Sequence, residues 1–81
     1  FWRDHTGHEV DLIAEWGGKI NAIEIKAGST FTQDYIKSVA YFCELAPQAR
    51  GFVVYSGTHV GEFRGIQLVP INKMDQLLSG E

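Results

Sequence analysis

The chain is 81 residues long and poor in several residue types: it has one cysteine, two prolines and one methionine. The lone thiol, Cys43, excludes an internal disulfide and provides no zinc site of the usual spacing; inside an apolar helical stripe it reads as a buried small hydrophobe. No apolar run approaches the ~20 residues of a membrane span. No signal peptide is visible, so the expected location is the cytoplasm, away from any membrane. The GxxxxGK[ST] phosphate loop is missing, which excludes ATP binding of that kind by this segment. Basic residues are in the minority: seven Lys and Arg stand against ten Asp and Glu, a net charge of −3. A dedicated nucleic-acid binder usually carries a basic excess that displaces counterions, so any nucleic-acid role needs a cation or a basic partner surface.

What remains is an ordinary globular composition, with 44% hydrophobic and 21% charged residues. A chain this short forms one domain, here residues 1–81, and buries only about 60% of its unfolded surface. Modest stability and a packing partner are therefore expected. The chain opens at Phe1, without a methionine and directly in a strand-like stretch, which is the pattern of a C-terminal piece of a larger protein.

Two short acidic motifs, Glu9-Val10-Asp11 and Glu24-Ile25-Lys26, flank the turn signal Gly17-Gly18. A two-residue hairpin turn needs positive φ at both central positions, which glycines supply at no steric cost. Partners across such a hairpin sum to 35, so Asp11 faces Glu24 and Glu9 faces Lys26. Alternation along a strand puts all four groups on one face, together with Ile13, Ile20 and Ala22. Val10, Leu12, Ala14 and Trp16 would lie on the other face with Ile23, Ile25 and Ala27, so cover on both sides is expected. Two bare carboxylates ~5 Å apart at an effective dielectric of ~20 repel by about 3 kcal/mol, well above what a surface pair contributes. A cation removes that cost. Oxygen ligands in a small carboxylate cluster suit Mg²⁺ or Mn²⁺, and Lys26 beside them would orient or deprotonate a water. The bland alternative is a solvated hairpin with a Glu9–Lys26 ion pair.

Further along, residues 1–4 read as a short strand, 5–7 as a tight turn, and 8–16 with 19–27 as the hairpin. Thr30 and Gln33 form a capping-box signature for a helix running to about Ala46, with Ile36, Val39, Ala40, Cys43 and Ala46 on one stripe and Pro47 stopping it. The β-branched run 51–56 suits a buried parallel strand reached by a crossover. Residues 57–65 read as loop and 66–71 as a last strand, ended or pushed to the edge by Pro70. Asn72 is placed to cap a short helix from Lys73 to about Leu78. Gln33, Lys37 and Tyr41 line the polar flank of the main helix, a possible contact for a phosphate backbone, although a solvated face is the simpler reading.

The run Gly7-His8-Glu9-Val10-Asp11-Leu12-Ile13-Ala14, the Gly-Gly hairpin and Ile23-Glu24-Ile25-Lys26-Ala27-Gly28 resemble the core of the PD-(D/E)xK nuclease superfamily. With Phe1-Trp2-Arg3-Asp4 in front and Phe42-Cys43-Glu44-Leu45 behind, the chain resembles more narrowly the nuclease-like C-terminal domain of prokaryotic AAA-type ATPases, a family of unknown function. The resemblance spans residues 1–57. It implies an α/β, restriction-endonuclease-like core: a mixed sheet with antiparallel N-terminal hairpins, one crossover helix and a short C-terminal helix. It also implies that Asp11, Glu24 and the carbonyl of Ile25 hold the divalent metal and that Lys26 assists the attacking water. The implied reaction is metal-dependent hydrolysis of a nucleic-acid phosphodiester, DNA before RNA, by a domain attached to an N-terminal ATPase. The superfamily core opens with a helix that often supplies another acid; none precedes the first strand here, and Glu9 is the only substitute on offer. A different class of function stays open: a non-catalytic module of the same fold that serves the ATPase in self-association, as a homo-oligomer, or in DNA targeting.

Overall fold

The structure is a computed structural model, and it describes residues 2–75. It is an α/β fold built on a mixed sheet. Among the described residues seven strands occur in chain order: β1 (Trp2–Arg3), β2 (Glu9–Val10), β3 (Leu12–Trp16), β4 (Lys19–Lys26), β5 (Arg50–Tyr55), β6 (Gly61–Phe63) and β7 (Ile66–Pro70). Helix α1 (Lys37–Leu45), entered through a 3-10 turn at Gln33–Ile36, connects β4 to β5. The main sheet has the order β3-β4-β5-β7-β6, while β1 and β2 form a separate two-stranded ribbon.

The expected hairpin register is the one observed. Leu12 pairs with Ile23 and Trp16 with Lys19, and Gly17 and Gly18 both take positive φ (61° and 74°). β4 then runs parallel to β5, and β5 parallel to β7. The central parallel strand β5 reads as a continuous apolar run, because both of its faces are covered: residues 51–55 are all buried. On one face α1 lays Val39 and Phe42 on Ala22, Val53 and Ile66, joined by Val10 and Ile36. On the other, Ile23, Phe52 and Val54 pack with Leu12, Trp16, Val69 and Met74.

At the entry to β4 the sheet encloses a polar group. Asn21 is fully buried; its Nδ2 donates to the carbonyls of Lys19 (3.0 Å) and Ala14 (3.3 Å), and its Oδ1 accepts from Arg50 Nε (2.8 Å). Every polar atom of the amide group is therefore matched, which is the condition for burying it without a large desolvation loss.

Several expectations are corrected. Residues 8–16 are not one strand: the chain bends at Asp11, between β2 and β3. That bend reverses the alternation, so Val10 joins the helix-side core and not the face of Leu12. The Thr30–Gln33 capping box does not form; the turn starts at Thr32, whose side chain makes no capping bond, and the Tyr35 N–H donates to the Thr32 carbonyl at 3.0 Å. A tight 3-10 turn is used because it brings Tyr35 down against Gly28 and Ile36 into the core. Residues 57–65 are not all loop. They contain β6, which hairpins onto β7 through Arg64 and Gly65, both at positive φ (54° and 80°), so β6 and not β7 is the sheet edge and Pro70 simply ends its strand. Finally, Asn72 lies within a 3-10 turn (Ile71–Lys73) preceded by Pro70, so it is not a cap; helical residues follow at Met74 and Asp75, and the rest of the expected C-terminal helix lies outside the described residues. Cys43 is only partly buried, packed against the core, and burial pushes its thiol pKa up.

Candidate functional site

Asp11 and Glu24 meet across the β3–β4 hairpin through an exchange of hydrogen bonds. The Asp11 N–H donates to Glu24 Oε1 at 3.1 Å, and the Ile25 N–H donates to Asp11 Oδ2 at 2.9 Å. The bend at Asp11 explains this. Continued past β3, the register would set Val10 opposite Ile25, but Val10 pairs with Trp2 in the β1–β2 ribbon, and the Ile25 N–H is taken by the Asp11 carboxylate instead. Lys26 Nζ lies 3.2 Å from Glu24 Oε2 and 5.9 Å from the centre of the Tyr35 ring.

Glu24 is the unusual member. Only 9% of it is exposed, in a position where carboxylates are rare unless paired. Burial pushes its pKa above the ordinary value and the neighbouring Asp11 charge pushes the same way, while the Lys26 ammonium and the Asp11 N–H act in the opposite direction. Asp11 is exposed. One site thus combines a wet carboxylate, a buried carboxylate and an ammonium.

The other sequence candidates separate from this group. Glu9 does not face Lys26: β2 pairs with β1, and Glu9 Oε1 takes Arg3 Nε at 2.7 Å. The physical reason is again the bend, which hands the segment before Asp11 to a different ribbon. Gln33 and Lys37 are exposed at the start of the helical segment. Tyr41 is occupied elsewhere, its ring stacked on His8 with centroids 4.0 Å apart and planes at 9°, and close to Trp2. Tyr35 is the helical-segment residue that reaches Lys26. No pattern in the sequence marks this contact; it depends on the absence of a side chain at Gly28, where a Cβ would collide with the Tyr35 hydroxyl.

Asp4 holds the neighbouring ribbon in shape. Its carboxylate accepts the N–H groups of Thr6 and His8 (both 3.0 Å) and the Thr6 hydroxyl (2.8 Å). Partial desolvation raises the Asp4 pKa, but these bonds and the Tyr41 hydroxyl outweigh it and hold the pKa at about 2, below 3.8. A depressed carboxyl pKa stabilises the fold above 3.8, and that contribution disappears as pH falls through about 2. Asp4→Asn is therefore expected to be less stable than the wild type at pH 6, with the gap between their urea midpoints narrowing from pH 4 down to pH 2. A gap constant over that range would refute the role given to Asp4.

A divalent cation fits the Asp11–Glu24 pair by donor chemistry. Asp11 Oδ1 makes no protein hydrogen bond among the described residues, and each carboxylate oxygen has lone pairs to spare. Among the described residues no group of three or more His, Cys, Asp or Glu side chains gathers as a metal cage. Two carboxylates with waters and substrate phosphate are the usual set for Mg²⁺, whereas a closed zinc site needs more.

The family model for a domain of unknown function, DUF4143, matches residues 1–74. The chain belongs to the DUF4143 family. No curated protein and no solved structure matches it. The match covers the ribbon, the hairpin with its acidic site, the crossover helix and the β5–β7 half of this DUF4143 domain. Among the described residues no helix is long and apolar enough to cross a membrane.

Proposed function

We propose that this DUF4143 domain hydrolyses nucleic-acid phosphodiesters, DNA foremost, with Mg²⁺ or Mn²⁺ as cofactor, and that it acts in the cytoplasm attached to an ATPase domain of the same parent chain. The observation that carries the reading is the meeting of Asp11, Glu24 and Lys26 at one point of the hairpin, within the resemblance to PD-(D/E)xK nucleases. In this reading Asp11, Glu24 and the Ile25 carbonyl hold the cation. When bound, the cation supplies Lewis acidity toward the phosphate and lowers the pKa of water near it. The chain's own residues do the rest. Glu24, buried and fixed by the Asp11 N–H, gives a rigid oxygen; Asp11, fixed by the Ile25 N–H, gives the exposed one; Lys26 Nζ holds or moves a proton beside Glu24 Oε2 and balances negative charge on the phosphate.

The Lys26–Glu24 ion pair also favours a second reading, in which the two side chains serve only to satisfy each other and the domain is a non-catalytic module for self-association or DNA targeting. Calorimetric titration of Mn²⁺ separates the two. Saturable heat in the wild type that is lost in Asp11→Ala is the expected result. Equal heat in both proteins, or none in either, eliminates the cation site and with it the hydrolytic reading.

A further inference from the structure

A cleft of about 540 Å³ opens at the carboxyl ends of β4 and β5. Its size is within the range of small-ligand sites, and its position is the end of parallel strands where α/β sheets usually bind ligands. Ser29, Thr30 and Phe31 form one wall, and Ser56, Thr58 and His59 the other. None of the residues lining it is acidic, in a chain whose net charge is −3. The lining is instead rich in hydroxyls, which together with backbone N–H groups are common partners of phosphate and sugar oxygens.

The cleft is built, not a gap between loose loops. The Ser56 N–H donates to the Gly28 carbonyl at 3.1 Å, closing the floor. The buried Tyr55 hydroxyl donates to the His59 carbonyl at 3.1 Å and accepts the His59 N–H at 2.9 Å, which pins the far wall. Both His59 backbone groups are engaged, and its imidazole makes no hydrogen bond among the described residues. Gly57 brings the walls together: a Cβ there would lie 2.6 Å from the Ser29 carbonyl oxygen.

The cleft adjoins the Asp11–Glu24–Lys26 site. Lys26 and Tyr55 are neighbours across β4 and β5. Phe31 meets Tyr35 edge-on with centroids 6.0 Å apart, and Tyr35 in turn faces Lys26. We infer that the cleft is a subsite for the sugar and phosphate of the nucleotide adjoining the bond that is cut, with the hydroxyls of Ser29, Thr30, Ser56 and Thr58 and the His59 imidazole as its polar contacts. This inference rests on the nuclease reading, since it names where that substrate continues beyond Lys26.

The test is a nuclear magnetic resonance titration of ¹⁵N-labelled protein in EDTA, so that no cation is needed, with the 5′-phosphorylated dinucleotide pdTdT and, separately, inorganic phosphate. The expected result is saturable movement of the Ser29, Thr30 and 56–59 amide signals with pdTdT. Thr58→Glu and His59→Ala are each expected to weaken binding at least tenfold with the remaining spectrum unchanged. Phosphate alone binding as tightly as pdTdT would overturn the subsite, as would signals elsewhere moving instead, or Thr58→Glu and His59→Ala both binding like the wild type. The underlying reading fails differently: cleavage of a longer DNA in Mn²⁺ would be absent, or identical in wild type and Asp11→Asn, while the dinucleotide shifts persist.

Discussion

Lys26→Met is expected to reduce Mn²⁺-dependent cleavage of plasmid DNA by ~10²–10⁴-fold, the range in which a positioned proton-transfer group contributes. Methionine keeps the length of the side chain and its apolar stem beside Tyr35 but removes the ammonium 3.2 Å from Glu24 Oε2. Because Lys26 lowers the Glu24 pKa, its loss moves that pKa further up. The assay therefore belongs at the alkaline end of the pH range in which the domain stays folded, which favours the ionised form of Glu24. Mn²⁺ affinity is expected to be retained there, since both carboxylates remain and a nearby positive charge has been removed. Measured together, cleavage rate and Mn²⁺ affinity divide the two readings of the ion pair. Unchanged cleavage would strip Lys26 of its role in the reaction and leave it as the structural partner of Glu24.

The largest effect on stability is expected at Gly51, which opens the apolar part of β5. A Cβ built there would lie 2.6 Å from Val39 Cγ1 and 2.6 Å from Ile66 Cδ1, with Cys43 Sγ at 3.2 Å. Two of these neighbours come from α1 and one from β7, so glycine is what lets the helix settle onto the sheet. Gly51→Ala is expected to destabilise the domain by ~1–3 kcal/mol, the usual cost of overpacking a dense core. In a domain of this size that lowers the melting temperature by roughly 4–8 °C per kcal/mol. Thermal melts of Gly51→Ala, Ile66→Val and the double variant test the cause. Ile66→Val removes the Cδ1 atom, so the double variant should be more stable than the sum of the single losses indicates. Additive losses, or a Gly51→Ala protein melting with the wild type, would mean that the helix does not press on β5 as described.

The readable parts of this protein were those governed by neighbours in the chain. Gly17-Gly18 encodes its own turn through positive φ, and the turn alone sets the register from Leu12–Ile23 to Trp16–Lys19. The unbroken apolar run of β5 announces a strand covered on both faces. The β6–β7 hairpin was less visible, because β6 is a three-residue edge strand with two exposed residues and its turn uses Arg64 at positive φ, an uncommon choice for a non-glycine residue. The helix start misled for a related reason. Thr30 and Gln33 carry a capping signature, but the packing of Tyr35 and Ile36 outweighs one capping bond, worth about 1 kcal/mol.

In the site, sequence alone determined that Asp11 and Glu24 come together with Lys26 beside Glu24, because hairpin register and strand alternation are local geometry. It also determined where Gly17 and Gly18 reverse the chain. Tertiary structure decided the partners. The bend at Asp11, invisible in a run of residues all suited to a strand, turned Val10 to the helix side, gave Glu9 to Arg3 and let Asp11 take the Ile25 N–H. It likewise buried Glu24, set Tyr35 against Lys26 and joined two loops 27 residues apart, at Ser29 and Ser56, into one cleft. Contacts of that kind depend on how the helix and the parallel strands pack, and packing is a property of the whole chain, not of any one stretch of it.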